Sequence, residues 1–140
     1  MAATFHTQML RLTTGRLQTA ADITDQCRRF LREHADGGSG LLNVFVPHAT
    51  AGIAVIETGA GSDTDLLAAL ADLLPADDRW RHQHGSPGHG RDHVLPALIA
   101  PHATIPVIDG DLALGTWQSV VFVDTNTDNP QRTFRLTFQG

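Results

Sequence analysis

The sequence predicts an α+β domain, and three observations carry that prediction. Two continuous apolar runs, LLNVFV (41–46) and AGIAVIE (51–57), have the length and composition of buried strands. SDTDLLAALADLL (62–74) repeats leucine and alanine along one helical face. Asp109-Gly110 divides two alternating runs, a strong short-range signal for a hairpin. Strands with helices inserted between them point to α+β.

Taken in order, TFHTQMLRL (4–12) alternates as a strand until Gly15 breaks it, and RLQTA is a second short extended piece. Asp22 is placed as an N-cap for a helix on which Ile23, Cys27, Phe30 and Leu31 recur, with DGGSG (36–40) ending it. PHAT turns the chain between the two apolar runs. Ser62 or Asp63 is expected to cap the long helix, and Pro75 closes it. After a polar loop, DHVLPALIA is expected to form a short helix capped by Asp92, with Pro96 in its first turn. ATIPVI, DLALGTWQ running into SVVFVD, and RTFRLTF supply the remaining strands, with the polar loop TNTDNPQ before the last.

At 140 residues the chain fits one domain, 1–140, large enough to bury a core. Its net charge of −5, with no basic run, argues against binding nucleic acid or an anionic membrane. A lone cysteine, Cys27, excludes an internal disulfide and is read as a small buried hydrophobe. No apolar stretch reaches the ~18 residues of a membrane helix, and the N-terminus lacks a signal-peptide pattern, so a cytoplasmic location is expected.

The chemistry concentrates in RHQHGSPGHGRDH (81–93), which holds His82, His84, His89 and His93, half of the eight histidines. Imidazole is a preferred donor for zinc and near its own pKa at neutral pH, so both metal binding and proton transfer suit it. From the residues alone the plainer reading is a solvated loop, because neither HExxH nor a paired helical spacing is present and Gly90 opposes a helix over His89 and His93.

The histidine spacing after a proline-closed helix, then IPVIDGDLALGTWQSVVFVD and a final R-x-F-R-L strand, resembles the YjbQ-like family, also called secondary thiamine-phosphate synthases. The resemblance spans nearly the whole chain, and Asp109 to Gln118 is its most specific piece. It implies a sandwich-like, partly closed mixed or antiparallel sheet system with two to three inserted helices. It also implies a homotrimer with sites near subunit boundaries, and a weak thiamine-phosphate synthase activity joining a pyrimidine-methyl pyrophosphate to a thiazole phosphate. Carried over by position, His48, His82, His93 and Glu57 are the expected catalytic residues. The same three histidines are the expected ligands of a divalent ion, zinc or magnesium. Thr50, Gly115, Thr116, Trp117, Gln118 and Arg132 are expected to contact a small phosphorylated or anionic ligand. The chain departs from the family pattern at Ala49-Thr50, at Ile56-Glu57, in GAGSD, and at His89, where an Asn or Asp is common. His84, His89, His6, His34 and His102 are left as surface residues. Magnesium prefers oxygen donors, so an imidazole-rich site leaves two alternatives to the synthase: a non-catalytic metal- or anion-binding accessory protein, or a metal-dependent hydrolase.

Overall fold

The computed structural model describes residues 2–140. Its strands are β1 (Phe5–Thr13), β2 (Thr19–Asp22), β3 (Gly40–Phe45), β4 (Ala51–Ile56), β5 (His102–Ile108), β6 (Asp111–Leu112), β7 (Ser119–Asp124) and β8 (Gln131–Gln139). Three α-helices, α1 (Thr24–His34), α2 (Ser62–Leu73) and α3 (Leu95–Leu98), and a 3-10 helix over His89–His93 lie between them. Every strand pairing is antiparallel, in a five-stranded sheet ordered β1-β8-β3-β5-β6 and a three-stranded sheet ordered β2-β7-β4. This is the α+β architecture that the apolar runs predict.

The core forms where the two sheets face each other. β8 alternates so that Phe134, Leu136 and Phe138 turn inward against Leu42 and Val44 of β3. From the other sheet come Ile53, Val120 and Phe122, and α1 adds Ile23, Cys27, Phe30 and Leu31. β7 is buried on both faces: Val120 and Phe122 enter this core, while Val121 and Val123 meet Leu70, Leu74 and Leu95 from the α2 and α3 side. A strand covered on both faces reads as an unbroken apolar run, which is how SVVFVD reads.

Four local expectations need correction. Neither Ser62 nor Asp63 caps α2; the N-cap is Gly61, at φ 108°, and no side chain bonds there. Asp22 is the last residue of β2 rather than the N-cap itself, but its carboxylate still accepts from the Thr24 N–H at 2.9 Å. The segment after Asp92 is not one helix: the 3-10 turn precedes α3, and Asp92 is inside that turn, buried. DLALGTWQ is a strand only at Asp111–Leu112, because Gly115 to Gln118 form a turn closed by the Gln118 side chain, whose Oε1 accepts the Gly115 N–H at 2.8 Å. The hairpin does form, with Asp109 at φ 50° and Gly110 at φ 81° joining β5 to β6 as a type I′ turn requires.

Candidate metal centre

Where β4 and β7 pair, Ala51 lies opposite Asp124 at one end and Ile56 opposite Ser119 at the other. The histidines gather at the first end. His82, His89 and His93 each present a ligand atom, and the three atoms lie within 4.8 Å of one another. Glycine makes the approach workable. The chain at Trp80 and His82 crosses so close to Gly90 that a Cβ there would stand 2.5 Å from the His82 carbonyl oxygen and 2.5 Å from the Trp80 Cβ. The crossing segment is tied down by Trp80, whose indole N–H donates to the Pro75 carbonyl at 2.8 Å.

The ring nitrogens fall into two groups. Nδ1 of His93 faces the Ala49 carbonyl at 3.3 Å, so it donates. Nδ1 of His89 has the Asp92 and Asp128 carboxylates at 3.2 and 3.5 Å, close enough for ion pairing although neither contact is aligned as a hydrogen bond. Both outer nitrogens therefore meet acceptors. The inner nitrogens, Nε2 of His89 and Nε2 of His93, face each other at 3.0 Å. Nε2 of His82 is buried with no hydrogen-bond partner. Burial, then the neighbouring imidazoles of His84, His93 and His89, hold the His82 pKa below its usual value. His84 flanks the cluster, its ring centroid 4.0 Å from that of His82, and is exposed.

His89, expected at the surface, is buried at 9% exposure and completes the set. The expectation that Gly90 opposes a helix holds for an α-helix, but a 3-10 turn of five residues is short enough to accommodate it. His48, expected among the ligands, is elsewhere. Its Nε2 accepts the Thr133 backbone N–H at 2.9 Å, so the lone pair that would bind an ion is already used. Burial first, then the nearby Arg132 charge, lower its pKa, which keeps the ring neutral as this bond requires.

The remaining expected residues divide. Arg132 is 1% exposed and paired with Asp124, which is equally buried, and its other nitrogens donate to the Gln131 and Asn126 carbonyls at 3.3 Å. Thr50 is buried with its side chain turned to the same carboxylate. Both are consumed inside the fold rather than offered to a ligand. Glu57 and the turn Gly115, Thr116, Trp117 and Gln118 lie at the far end of β4 and β7, about 17 Å along the strands. Trp117 there is 73% exposed. Within one chain the structure does not bring this group to the histidines. Among the described residues no helix is long and apolar enough to cross a membrane.

The family model described as UPF0047 protein YjbQ-like matches residues 8–140. The chain is 59% identical over 130 residues to UPF0047 protein Mb2586c of Mycobacterium bovis, covering 93% of this chain and 98% of that one. It is 32% identical over 136 residues to a UPF0047 protein of Methanothermobacter thermautotrophicus, covering 96% and 92%. Among solved structures, a YbjQ-like protein of unknown function from Sulfolobus solfataricus superposes with a TM-score of 0.91 at 23% identity, over 99% of both chains. A hypothetical protein from Aeropyrum pernix gives a TM-score of 0.86 at 32% identity, over 96% of this chain and 98% of that one.

Proposed function

The chain belongs to the YjbQ-like UPF0047 family, and on that premise we propose that it is a metal-dependent hydrolase of small anionic substrates, with His82, His89 and His93 as the ligands of one divalent transition-metal ion. One observation carries the reading. With acceptors at both outer nitrogens, the inner Nε2 atoms of His89 and His93 are two lone pairs opposed at 3.0 Å. At this spacing the two nitrogens are held either by a shared proton, one ring donating to the other, or by a metal cation between them, and the reading takes the cation. Two nitrogens bound at 2.0–2.1 Å to a tetrahedral ion stand about 3.3–3.4 Å apart, close to this spacing. The partnerless Nε2 of His82 is the third donor. Three imidazoles select zinc or a similar ion and do not suit magnesium, which takes oxygen ligands.

When bound, such an ion supplies a Lewis acid that polarises a phosphoryl or carbonyl oxygen and acidifies water. The chain's own residues do the rest. The Ala49 carbonyl and the two carboxylates fix the rings of His93 and His89, and Gly90 allows His82 to close on them. None of the three ligands carries charge, so a small phosphate or carboxylate compound is the substrate class that balances the ion. Three protein ligands also leave a fourth position for it, as in catalytic zinc sites. Exposed Trp117, beyond the reach of the histidines of its own chain, is a residue that a neighbouring subunit would cover in the homotrimer the family resemblance implies.

The test is metal analysis of tag-free protein with single alanine variants. About one zinc per chain, lost in His82→Ala, His89→Ala and His93→Ala but kept in His48→Ala, is the expected result. Hydrolysis of phosphate and carboxylate esters and formation of thiamine phosphate are then assayed side by side. Protein that carries no transition metal and takes none up at micromolar concentration sinks the proposal, and thiamine-phosphate formation without hydrolysis replaces the reaction.

A further inference from the structure

We propose that Asp92, seconded by Asp128, is a positioning residue that selects the tautomer of His89 and thereby leaves its Nε2 free to bind an ion; the inference rests on the metal reading above. His89 and Asp92 are three residues apart on a 3-10 turn, and in that helix residues at this spacing eclipse one another. The Asp92 Oδ2 accordingly lies 3.2 Å from His89 Nδ1. Asp92 is 3% exposed, and its other oxygen is fully engaged. Oδ1 accepts the Thr125 hydroxyl at 2.6 Å and has the Arg91 Nε at 3.4 Å. Asp128, on the loop before β8, adds a second carboxylate oxygen at 3.5 Å from the same Nδ1 and is itself held by the Ser86 N–H.

The polar groups facing Nδ1 can therefore only accept. A proton on Nδ1 is attracted and a lone pair there is repelled, so in the neutral ring the proton resides on Nδ1 and Nε2 is left bare. Metal-binding imidazoles are commonly oriented this way, by a carboxylate or carbonyl on the nitrogen away from the ion. His93 uses the Ala49 carbonyl for the same end. The chain thus sets two ligands by two different acceptors, one from the backbone turn before β4 and one from within the 3-10 helix.

Asp92→Asn inverts the logic without changing the shape. The Arg91 Nε is a donor, and so is the Thr125 hydroxyl toward the present oxygen, so the amide oxygen stays on that side. Its NH2 is then turned to His89 Nδ1. A donor there forces Nδ1 to accept and moves the proton to Nε2, into the space between His89 and His93. The same substitution moves a histidine to the wrong tautomer in serine proteases.

The readout is the protonation of ring nitrogens by long-range 1H–15N NMR of metal-free protein near pH 8, with zinc affinity measured beside it by chelator competition. In the native chain His89 should carry its proton on Nδ1. In Asp92→Asn it should shift to Nε2, and zinc should bind about 10- to 100-fold more weakly. Asp128→Asn, at a half-buried position 3.5 Å from Nδ1, should weaken zinc binding less. A native His89 with bare Nδ1 overturns the proposal, even should Asp92→Asn fail to fold. An unchanged tautomer with zinc affinity within about twofold in Asp92→Asn overturns it too. A native protein with Nδ1 protonated that binds no zinc upholds the positioning and removes the metal reading instead.

Discussion

Replacing Arg132 with methionine tests whether this arginine is a structural ion or a ligand-binding one. Its guanidinium and the Asp124 carboxylate are each 1% exposed and bond to one another. Removing one partner leaves the other charged and without water. Breaking a buried pair in this way typically costs about 3–5 kcal/mol. Methionine preserves most of the chain length and apolar contact, so the loss is largely electrostatic. Unfolding entropy near 60 °C is about 2.1 cal/mol/K per residue, so that loss lowers Tm by about 10–17 °C for 140 residues. Urea unfolding with an unchanged m-value is the assay. Asp124→Asn added to Arg132→Met removes the orphaned charge while keeping an acceptor for the Asn126 N–H, which the carboxylate holds at 2.8 Å. The double variant should therefore be more stable than Arg132→Met alone. A single variant that loses under about 1 kcal/mol, or a double variant less stable than the single, refutes the argument.

Three further outcomes follow from the same packing. Gly52→Ala places a Cβ against the Ile99 carbonyl, backbone that cannot swing away, so a loss of about 1–3 kcal/mol in thermal or urea unfolding is expected; an unchanged midpoint contradicts the crossing. Cys27 is fully buried and burial pushes its thiol up to about 12, so a thiol reagent should modify it only on unfolding, and stoichiometric reaction within minutes in the native protein runs against this. The folded pKa of His48 is depressed by burial first and Arg132 second, so as pH falls below its unfolded value near 6.5 the unfolded chain takes up a proton before the folded one does. Stability should fall with pH in that range, and His48→Gln should flatten part of the slope; unfolding free energies from urea titrations that drop equally between pH 7.5 and 5.5 in the native chain and in His48→Gln exclude the depressed value.

Much of the fold is legible because each strand carries its burial in its own spelling. The alternation of QRTFRLTFQ marks an inner face, and the unbroken SVVFVD marks a strand covered on both sides. The site is less legible, for reasons that lie outside local pattern. His89 reads as a surface residue because it stands where the family commonly has Asn or Asp and because Gly90 disfavours an α-helix, and nothing in the spelling distinguishes a 3-10 turn from a loop. The signal that could have found it is Asp92, three residues on, a carboxylate at the spacing that a 3-10 turn eclipses. His48 reads as a ligand by position in the PHAT turn, yet β8 runs past it and its Thr133 N–H takes the lone pair. No local sequence feature reports that meeting, since the two residues are 85 positions apart. Arg132 fails in the same way: its partner is eight residues away, across the polar loop.

The glycines of the 81–93 segment explain why a loop this polar can hold three rings in register. Gly88, at φ 77°, lies where a Cβ would stand 2.5 Å from the Ala76 carbonyl carbon, and Gly90 lies equally tight against Trp80 and His82. A loop whose only task is to link α2 to α3 in solvent needs no such approaches. Close approach on both sides of His89 presses it inward, under Asp128 and against Asp92, and brings His82 over the 3-10 turn. Glycine therefore supplies the geometry and the carboxylates supply the tautomer. The lone pairs that remain are aimed at one another, and that opposition is the strongest argument that something cationic belongs between them.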